Sequence, residues 1–448
     1  MKSTPIYLLA TTALGLSLAS CDSSSSSSKE KTAETPTNTT TVATAAAATA
    51  GARSVALPAG LKVGHWEGFL NAQKKAIHFI FEVAVENNKP VVYLINKGLN
   101  GEERLRCDDV RATGDSAIIR LHAFDAALVV HANGTDNLAG TWVKYDAKEP
   151  YRVPMTAVFG PHTEPRVQVG TPDFTGTWRT TFQEKSGKTY PAVGIFQQQG
   201  VAIRGTFLTS TGDYRYLSGF ALADSGMGIS TFDGNHGFLF QAKKLSDGTL
   251  KGDFYSGRSG HETWTAVLDP KAKLPNADTL VYLKKGESRL NFKFPNVYEG
   301  GSISPTDPKY RGKVLVVQIL GSWCPNCMDE TNFLAPWYDK NKARGVEIIA
   351  LGYERSPDYK VSAAKLRNMR ERFKIGYDVA FAGVSDKDSV ARSLPQLTKF
   401  VAFPTTIFLD RKGNVRQIHT GFSGPGTGKY YQEEIAGFNH EIDKLLKE

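Results

Sequence analysis

The chain has 448 residues, with 54 lysines and arginines against 45 acidic residues and a formal net charge of +9. The basic residues are spread along the chain and accompany no nucleic-acid-binding motif, so we expect a solvated basic surface and no nucleic-acid partner. The chain contains only four cysteines, which restricts any metal site built from cysteine pairs.

The N-terminus has the pattern of a bacterial secretion signal. Lys2 supplies a positive charge, and residues 6–18 form an apolar stretch that is too short for a comfortable transmembrane helix. The stretch ends in Leu18-Ala19-Ser20-Cys21, which resembles a lipobox. That resemblance implies cleavage after residue 20 and a lipid on Cys21; the alternative is an ordinary signal peptide with an incidental cysteine. Residues 21–54 are rich in Ser, Thr and Ala and predict a disordered tether.

Residues 55–272 predict an all-β region with an internal repeat. Short alternating apolar runs are separated by Asn-Gly, Asp-Gly and Ser-Gly turns, and no helical pattern intervenes. Gly64-His65-Trp66 is matched 112 residues later by Gly176-Thr177-Trp178, and Gly140-Thr141-Trp142 is matched at the same spacing by Gly252-Asp253-Phe254. We therefore predict two β-modules, 55–165 and 166–272, as two small meander barrels or as two halves of one sandwich.

The β-modules contain no residue cluster that indicates catalysis. The simplest interpretation is a spacer or docking platform whose core contains Trp66, Trp142, Trp178 and Trp264. The alternative is a barrel that holds an apolar ligand, or a surface that selects a partner. Cys107 stands alone in this region. We interpret it as a reduced, partly buried thiol, with a mixed-disulfide or regulatory role as the alternative.

A Lys-rich linker at residues 273–291 leads into residues 292–448, where strands and helices alternate. The apolar runs Val314–Leu320 and Val346–Leu351 predict buried strands, and the amphipathic segment Pro325–Lys342 predicts a helix between them. A helix, a short strand, a brief helix, a two-stranded hairpin and a closing helix follow, near residues 362–373, 378–381, 386–393, 405–409, 415–419 and 430–446. This order is typical of a thioredoxin fold.

The predicted strand Val314–Leu320 leads into Trp323-Cys324-Pro325-Asn326-Cys327, which lies at the N-terminus of the predicted helix. Backbone N–H groups and the helix dipole favour an anion there, so we expect the Cys324 thiolate to be stabilised. Cys327 follows about one helical turn later and is expected to be the covered, resolving thiol. One alternative is half of a zinc site, although neither Cys21 nor Cys107 is followed by a second ligand. A static structural disulfide is the other alternative.

From about Phe292 onward, the chain resembles the TlpA/ResA/CcmG type of thioredoxin-like thiol–disulfide oxidoreductase. The matching pieces are Gly312-Lys313-Val314, the Trp323–Cys327 motif, Glu330, Gly345–Leu351, Phe403–Asp410 and the Lys412-Gly413 turn. One position departs from the family pattern. The family usually has a proline five residues after the second cysteine; this chain has Asn332 there, and Pro336 comes one turn later.

The resemblance implies further site residues and completes the predicted fold class, an N-terminal all-β region followed by an α/β thioredoxin fold. It places Pro404, in cis, beside the two cysteines and Trp323 next to the attacking sulfur. It also places Glu354 near the dithiol, where a carboxyl group raises thiol pKa values or relays a proton from Cys327. The alternative for Glu354 is an exposed loop carboxylate. We expect no cofactor and no metal.

The implied function is thiol–disulfide exchange by a lipid-anchored, periplasm-facing protein of the cell envelope. The resemblance favours a reductase that a membrane electron donor keeps reduced. Its substrates would be disulfide-containing envelope proteins, or the haem-site cysteines of apocytochrome c during cytochrome c biogenesis. A peroxiredoxin shares the fold, but residues 318–323 lack the Pro and Thr that orient a peroxide. A second alternative is a ligand- or partner-binding lipoprotein whose β-modules carry the main function.

Overall fold

The computed structural model describes residues 57–58, 60–121, 124–146, 149, 151–160, 170–298 and 300–448. The signal peptide, Cys21 and the tether predicted for residues 1–54 lie outside the described residues. Across the described ranges, no helix combines the length and the apolar character that a membrane crossing requires.

The first β-module is an open antiparallel sheet. Its strands in the described residues are β1 (Gly64–Ala72), β2 (Lys75–Glu86), β3 (Lys89–Gly98), β4 (Gly101–Cys107), β5 (Val110–Thr113), β6 (Ser116–Leu121), β7 (Ala126–Ala132), β8 (Asn137–Lys144) and β9 (Tyr151–Phe159). Their spatial order is β4-β3-β2-β1-β9-β8-β7-β6-β5. Buried and more exposed side chains alternate along most strands, as expected when one face of a sheet covers a core.

The second β-module is a closed barrel. Its strands are β10 (Gly176–Gln183), β11 (Thr189–Gln199), β12 (Ala202–Thr209), β13 (Gly212–Asp213), β14 (Leu217–Ala221), β15 (Gly226–Phe232), β16 (Gly237–Lys244), β17 (Leu250–Ser256) and β18 (Gly260–Leu268). The spatial order is β11-β10-β18-β17-β16-β15-β14-β12-β13, and β11 also pairs with β12, which closes eight of the strands. Buried aromatic rings, including Phe182, Phe207, Phe240 and Trp264, pack inside, so side chains fill the interior where the alternative interpretation places an apolar ligand.

The two modules repeat the same local contacts. The indole N–H groups of Trp66 and Trp178 each donate, at 2.9 Å, to the carbonyl oxygen of the residue four positions earlier. A Cβ atom at Gly140 or at Gly252 would lie 2.2 Å from a carbonyl oxygen of the neighbouring strand. Both positions therefore require glycine. These shared contacts occur at the spacing of 112 residues from which the repeat was predicted.

The first module stays open because β4 occupies the edge of β3. In the second module, the corresponding edge of β12 pairs with β14 and closes the barrel. β4 pairs along β3 from Val92 to Gly98. The matching strand in the second module, β13, is only two residues long, and β12 uses its remaining edge at Ala202–Gly205 to pair with β14. The predicted fold class of two repeated β-modules is confirmed, as one closed and one open barrel.

The two modules share part of their cores. Phe232 of the barrel packs against Phe79 and Trp142 of the first module, with ring centroids 4.8 and 5.1 Å apart. Leu239 of the barrel belongs to the same buried cluster. The four tryptophans predicted to be core residues are all buried, so that prediction is confirmed.

The C-terminal domain is built around a five-stranded mixed sheet. Its elements are β19 (Phe294–Pro295), β20 (Ser302–Ile303), β21 (Val314–Leu320), α1 (Pro325–Asn341), β22 (Val346–Glu354), α2 (Tyr359–Phe373), β23 (Asp378–Val384), α3 (Lys387–Ser393), β24 (Thr405–Leu409), β25 (Val415–Thr420) and α4 (Lys429–Lys447). The main sheet has the order β23-β22-β21-β24-β25, and β19 pairs only with β20. In the part of the chain that the structure describes, short 3₁₀ helices span Ala277–Thr279, Pro308–Tyr310, Lys342–Arg344 and Pro425–Thr427.

This arrangement confirms the predicted thioredoxin fold. β21 lies at the centre of the sheet, parallel to β22 and antiparallel to β24, and all its residues are buried. Helix α1 is continuous although Pro336 lies inside it, so the departure from the family pattern at Asn332 does not interrupt the helix. β22 continues three residues past the predicted end at Leu351 and finishes at Glu354.

Candidate active site

Cys324 is the N-cap residue of α1. Its backbone is extended, with φ −101° and ψ 114°, and its Sγ accepts a hydrogen bond from the backbone N–H of Cys327 at 3.3 Å. An N–H group at the first turn of a helix favours negative charge on the atom that it faces. Both cysteines are free thiols. The sulfur of Cys324 therefore has the surroundings of an attacking thiolate.

Cys327 is the more deeply buried of the two thiols. Its exposed fraction is 0%, against 6% for Cys324. Burial raises the pKa of the Cys327 thiol well above its ordinary value, and the hydrogen bond with Cys324 and the charge of Glu330 act in the same direction. A raised pKa favours the protonated form of Cys327, which suits a resolving thiol.

The loop before β24 lies beside the attacking sulfur. The Phe403–Pro404 peptide bond is cis, and the Cys324 thiol lies 3.7 Å from the carbonyl oxygen of Phe403. The carbonyl oxygen of Pro404 accepts a hydrogen bond from the N–H of Gly421 at 2.9 Å. The structure therefore brings Pro404 and the dithiol together.

Trp323 is held between the end of β22 and the Pro404 loop. Its indole N–H donates to the carbonyl oxygen of Tyr353 at 3.0 Å. Its ring meets that of Phe403 edge to face, with centroids 5.3 Å apart. The indole is thus fixed next to the first cysteine by contacts on both sides.

Glu354 is buried beneath the turn that carries the dithiol. It is 1% exposed, and its carboxylate accepts hydrogen bonds from the backbone N–H and the hydroxyl of Ser322 at 2.8 and 2.9 Å. Burial raises the pKa of Glu354 to about 7. The alternative of an exposed loop carboxylate is wrong, because Glu354 ends a strand and faces inward. Its action on the thiols stays a prediction.

Glu330 is the carboxyl group whose charge acts on Cys327, and its role was not predicted from the sequence. It is 3% exposed and accepts a hydrogen bond from Gln318 Nε2 at 2.7 Å and another from the Thr406 hydroxyl. Burial raises the pKa of Glu330 to about 7. Its position three residues after Cys327 on a helix, which puts the two side chains on one face, is the sequence pattern that indicates this contact.

Glu330 also lines a cavity of about 260 Å³ beside α4. His419 borders the same cavity, where its ring nitrogens each lie 2.7 Å from a carboxylate oxygen of Asp278 or Glu434. The Glu330 carboxyl therefore acts electrostatically on the buried thiol and also borders a space with other proton-exchanging groups. It is placed to take the proton of Cys327 and pass it on.

Replacing Glu330 with glutamine is expected to change the pH dependence of stability. The pKa of Glu330 is about 7 in the folded protein and about 4.3 in the unfolded chain. Its contribution to the unfolding free energy is therefore largest below pH 4 and is lost as the pH rises through 7. The difference in unfolding free energy between wild type and Glu330→Gln should fall by roughly 3 kcal/mol from pH 4 to pH 8. Denaturant unfolding of both proteins across this pH range measures the difference. A difference that stays constant with pH would contradict the raised pKa of Glu330.

Cys107 lies apart from this chemistry, in the core of the first module. It is fully buried, and burial raises the pKa of its thiol to about 12. Its Sγ lies 3.7 Å from the carbonyl oxygen of Leu105. The structure thus shows Cys107 as a free thiol that is more deeply buried than the partly buried thiol predicted from the sequence.

Comparison with known proteins places the dithiol in a family. Residues 284–433 match the family model described as Redoxin. The C-terminal domain is a redoxin domain. Together with the dithiol geometry, this makes the domain a thiol–disulfide oxidoreductase.

Curated relatives of the redoxin domain include two proteins named thiol-disulfide oxidoreductase ResA. The protein from Halalkalibacterium halodurans is 29% identical over 138 residues, which cover 31% of this chain and 69% of that protein. The protein from Geobacillus kaustophilus is 30% identical over 112 residues, which cover 25% of this chain and 57% of that protein. The chain thus spans between about half and two thirds of these relatives, and its two β-modules lie outside the family match.

Solved structures similar to the redoxin domain have low sequence identity. The thioredoxin domain of a thiol-disulfide oxidoreductase from Bacteroides vulgatus is 21% identical, and the match covers 35% of this chain and 99% of that chain with a TM-score of 0.27. A thiol:disulfide interchange protein from Chlorobium tepidum is 17% identical, and the match covers 36% of this chain and 98% of that chain with a TM-score of 0.28.

Proposed function

We propose that the protein is an extracytoplasmic, lipid-anchored reductase of protein disulfides. The observation that carries the proposal is the asymmetric dithiol, with Cys324 capping a helix N-terminus and Cys327 fully buried behind it. The lipobox-like sequence ending at Cys21 supports attachment to a membrane of the cell envelope. Similarity to proteins named thiol-disulfide oxidoreductase ResA supports thiol–disulfide exchange as the reaction, and the resemblance of the sequence to the TlpA/ResA/CcmG type favours the reducing direction.

The reaction is a pair of thiol–disulfide exchanges. The Cys324 thiolate attacks one sulfur of a substrate disulfide; the substrate S–S bond breaks, a mixed disulfide forms, and the departing substrate thiolate takes up a proton. Glu330 accepts the proton of Cys327, whose thiolate then attacks the sulfur of Cys324; the mixed disulfide breaks, and the second substrate sulfur leaves as a thiolate that takes up the proton held by Glu330. The substrate gains two electrons and two protons, and the enzyme is left with a Cys324–Cys327 disulfide. A membrane electron donor returns the dithiol form.

Two substrate classes fit this chemistry. One is the disulfide formed by the two cysteines of a C-x-x-C-H haem site in apocytochrome c, and the other is a wrongly formed disulfide in an envelope protein. Both supply a disulfide sulfur that the Cys324 thiolate can attack.

A Cys327→Ser variant should convert the first exchange into a stable product. It keeps the attacking thiol but lacks the resolving thiol, so incubation with an oxidised C-x-x-C-H peptide should give a mixed disulfide on Cys324, seen by mass spectrometry of the intact protein. Wild type should instead release reduced peptide. A peptide that stays oxidised with both proteins would contradict the reductase proposal, and an oxidised peptide formed from a reduced one by wild type would reverse its direction.

A further inference from the structure

Residues on both sides of the attacking cysteine contact the barrel. The backbone carbonyl of Trp323 accepts a hydrogen bond from Asn235 Nδ2 at 2.9 Å. The side chain of Asn326 donates to the carbonyl oxygen of Asp213 at 3.3 Å. We call the contacting segments, residues 209–217 and 233–236, the barrel cap. A Cβ atom on Gly212 of this cap would lie 2.5 Å from Asn326 Nδ2, so the cap lies directly on the dithiol motif.

The barrel cap also covers the loop that pairs with Pro404. Gly424, after β25, donates its N–H to the Asp213 carboxylate at 2.8 Å. A Cβ atom on Gly421, whose N–H is bonded to Pro404, would lie 3.1 Å from the backbone nitrogen of Gly212. Main-chain groups beside this proline are where an extended substrate segment is expected to pair. In the structure the barrel cap lies against Gly421, the residue whose N–H is bonded to Pro404.

A buried arginine joins the cap to the active-site helix. The guanidinium of Arg215 binds the Asp329 carboxylate through two hydrogen bonds, of 2.8 and 2.7 Å, and also binds Glu103 of the first module at 2.6 Å. Asp329 is the second residue after Cys327, and both members of the Arg215–Asp329 pair are almost fully buried. A paired, buried charge of this kind is strongly disfavoured once one partner is removed.

Arg215 adopts an unusual backbone conformation to make these contacts. Its φ is 56°, in the left-handed region that non-glycine residues rarely adopt. The Asp213 carboxylate stabilises the turn by accepting the N–H of Arg215 at 2.5 Å. The turn thus directs the guanidinium into the interface between the barrel and the redoxin domain.

The redoxin domain is held against the first module as well. Arg355 forms an ion pair with Asp146 at 2.7 Å, and the side chain of Arg372 donates to the carbonyl oxygen of Arg106 at 2.8 Å. Met328, immediately after Cys327, belongs to the buried cluster of the first module. The β-modules therefore cover the face of the redoxin domain that carries the dithiol.

We propose that this structure is a closed state in which the barrel cap masks Cys324, and that protein disulfides are reduced only after the cap separates from α1. The proposal rests on the proposed function. Exchange requires the attacking sulfur to reach a partner sulfur in line with the bond that breaks. Cys324 is 6% exposed, and the cap lies on the motif and on the loop that pairs with Pro404, so a folded partner has no open path to the attacking sulfur. The β-modules then act as a gate for the dithiol.

The gate can be tested by measuring the alkylation of Cys324 in the reduced, full-length protein. N-ethylmaleimide and a maleimide carrying a long polyethylene glycol chain serve as the small and large probes, and peptide mass spectrometry reports each cysteine separately. The reactive fraction of a masked thiol scales with the population of the open state. We expect the large probe to modify wild-type Cys324 far more slowly than it modifies a Trp-Cys-Pro-Asn-Cys peptide, with a larger deficit than the small probe shows.

An Arg215→Gln variant should open the gate. It removes the charge that holds Asp329, so modification of Cys324 by the large probe should accelerate about tenfold or more, while Cys107 stays unreactive. Arg215→Lys should restore part of the protection. Arg179→Gln is the matched control, because Arg179 is 67% exposed on the same barrel and pairs with a surface carboxylate at 3.2 Å; it should leave the rate unchanged.

Two results would overturn the gate. One is wild-type Cys324 reacting with the large probe as fast as the peptide does, which needs no variant and so remains decisive if Arg215→Gln fails to fold. The other is a folded Arg215→Gln protein with the wild-type rate. Alkylation does not depend on exchange with a substrate. A variant that opens but fails to reduce the C-x-x-C-H peptide would therefore refute the proposed function and leave the gate standing.

Discussion

Replacing Cys324 with serine is expected to reduce thiol–disulfide exchange to the uncatalysed rate. A hydroxyl at this position keeps the shape of the N-cap and its hydrogen bond from the helix, but it is not a nucleophile toward a disulfide sulfur at neutral pH. The fold should persist, since serine is a favoured N-cap residue. Reduction of a C-x-x-C-H peptide disulfide by the pre-reduced protein, followed by thiol alkylation, measures the loss.

Cys107→Ala provides the control for this prediction. The variant removes another buried thiol, but one that lies in the core of the first module, so its exchange rate should match that of wild type. If Cys324→Ser kept substantial exchange activity, or if Cys107→Ala lost it, the assignment of the attacking thiol would be wrong.

Replacing Phe232 with alanine is expected to destabilise the protein by about 3–5 kcal/mol. Phe232 is fully buried, and its ring packs against Phe79 and Trp142 across the boundary between the two modules. The substitution opens a cavity in a core that both modules use. Denaturant unfolding measures the loss, and a single transition in wild type that separates into two in the variant would report uncoupling of the modules.

Tyr282→Ala is the matched control, because Tyr282 is an aromatic residue with 54% of its surface exposed. Its removal should change the unfolding free energy by no more than about 0.5 kcal/mol. A Phe232→Ala variant as stable as this control would show that the shared core does not couple the modules.

The redoxin domain was predictable because its strands are uninterrupted apolar runs. Val314–Leu320 and Thr405–Leu409 were predicted with the bounds that the structure shows, since a strand buried on both faces has no polar residues to blur its ends. The end of β22 was placed too early. Glu354 closes that strand as a buried carboxyl, and a single acidic residue gives the appearance of a loop.

The β-modules were predictable only as a repeat. Glycine and tryptophan positions at a constant spacing reveal two copies of one unit. Whether each copy closes depends on which strands pair at one edge, and the length of β4 against β13 decides this. Two neighbouring strands compete for the same edge, and the result of that competition is not reported by local patterns.

The candidate site also contains residues that the sequence predicts and residues that it does not predict. The cysteines lie in one short motif, and Pro404 belongs to a recognisable segment. Asp329, in contrast, has the pattern of a solvated residue on an amphipathic helix. Its partner Arg215 lies 114 residues away, and only the folded chain shows that the two form a buried pair joining the barrel cap to α1.

The most direct test of the central claim is an equilibrium redox titration of the protein against glutathione and dithiothreitol buffers, read by thiol alkylation and mass. We predict one two-electron transition that localises to Cys324 and Cys327, with a potential near the roughly −270 mV of thioredoxin or lower. A potential near the roughly −120 mV of a strong oxidant would contradict the reducing direction. The absence of any reversible transition would contradict the assignment of a redox-active dithiol.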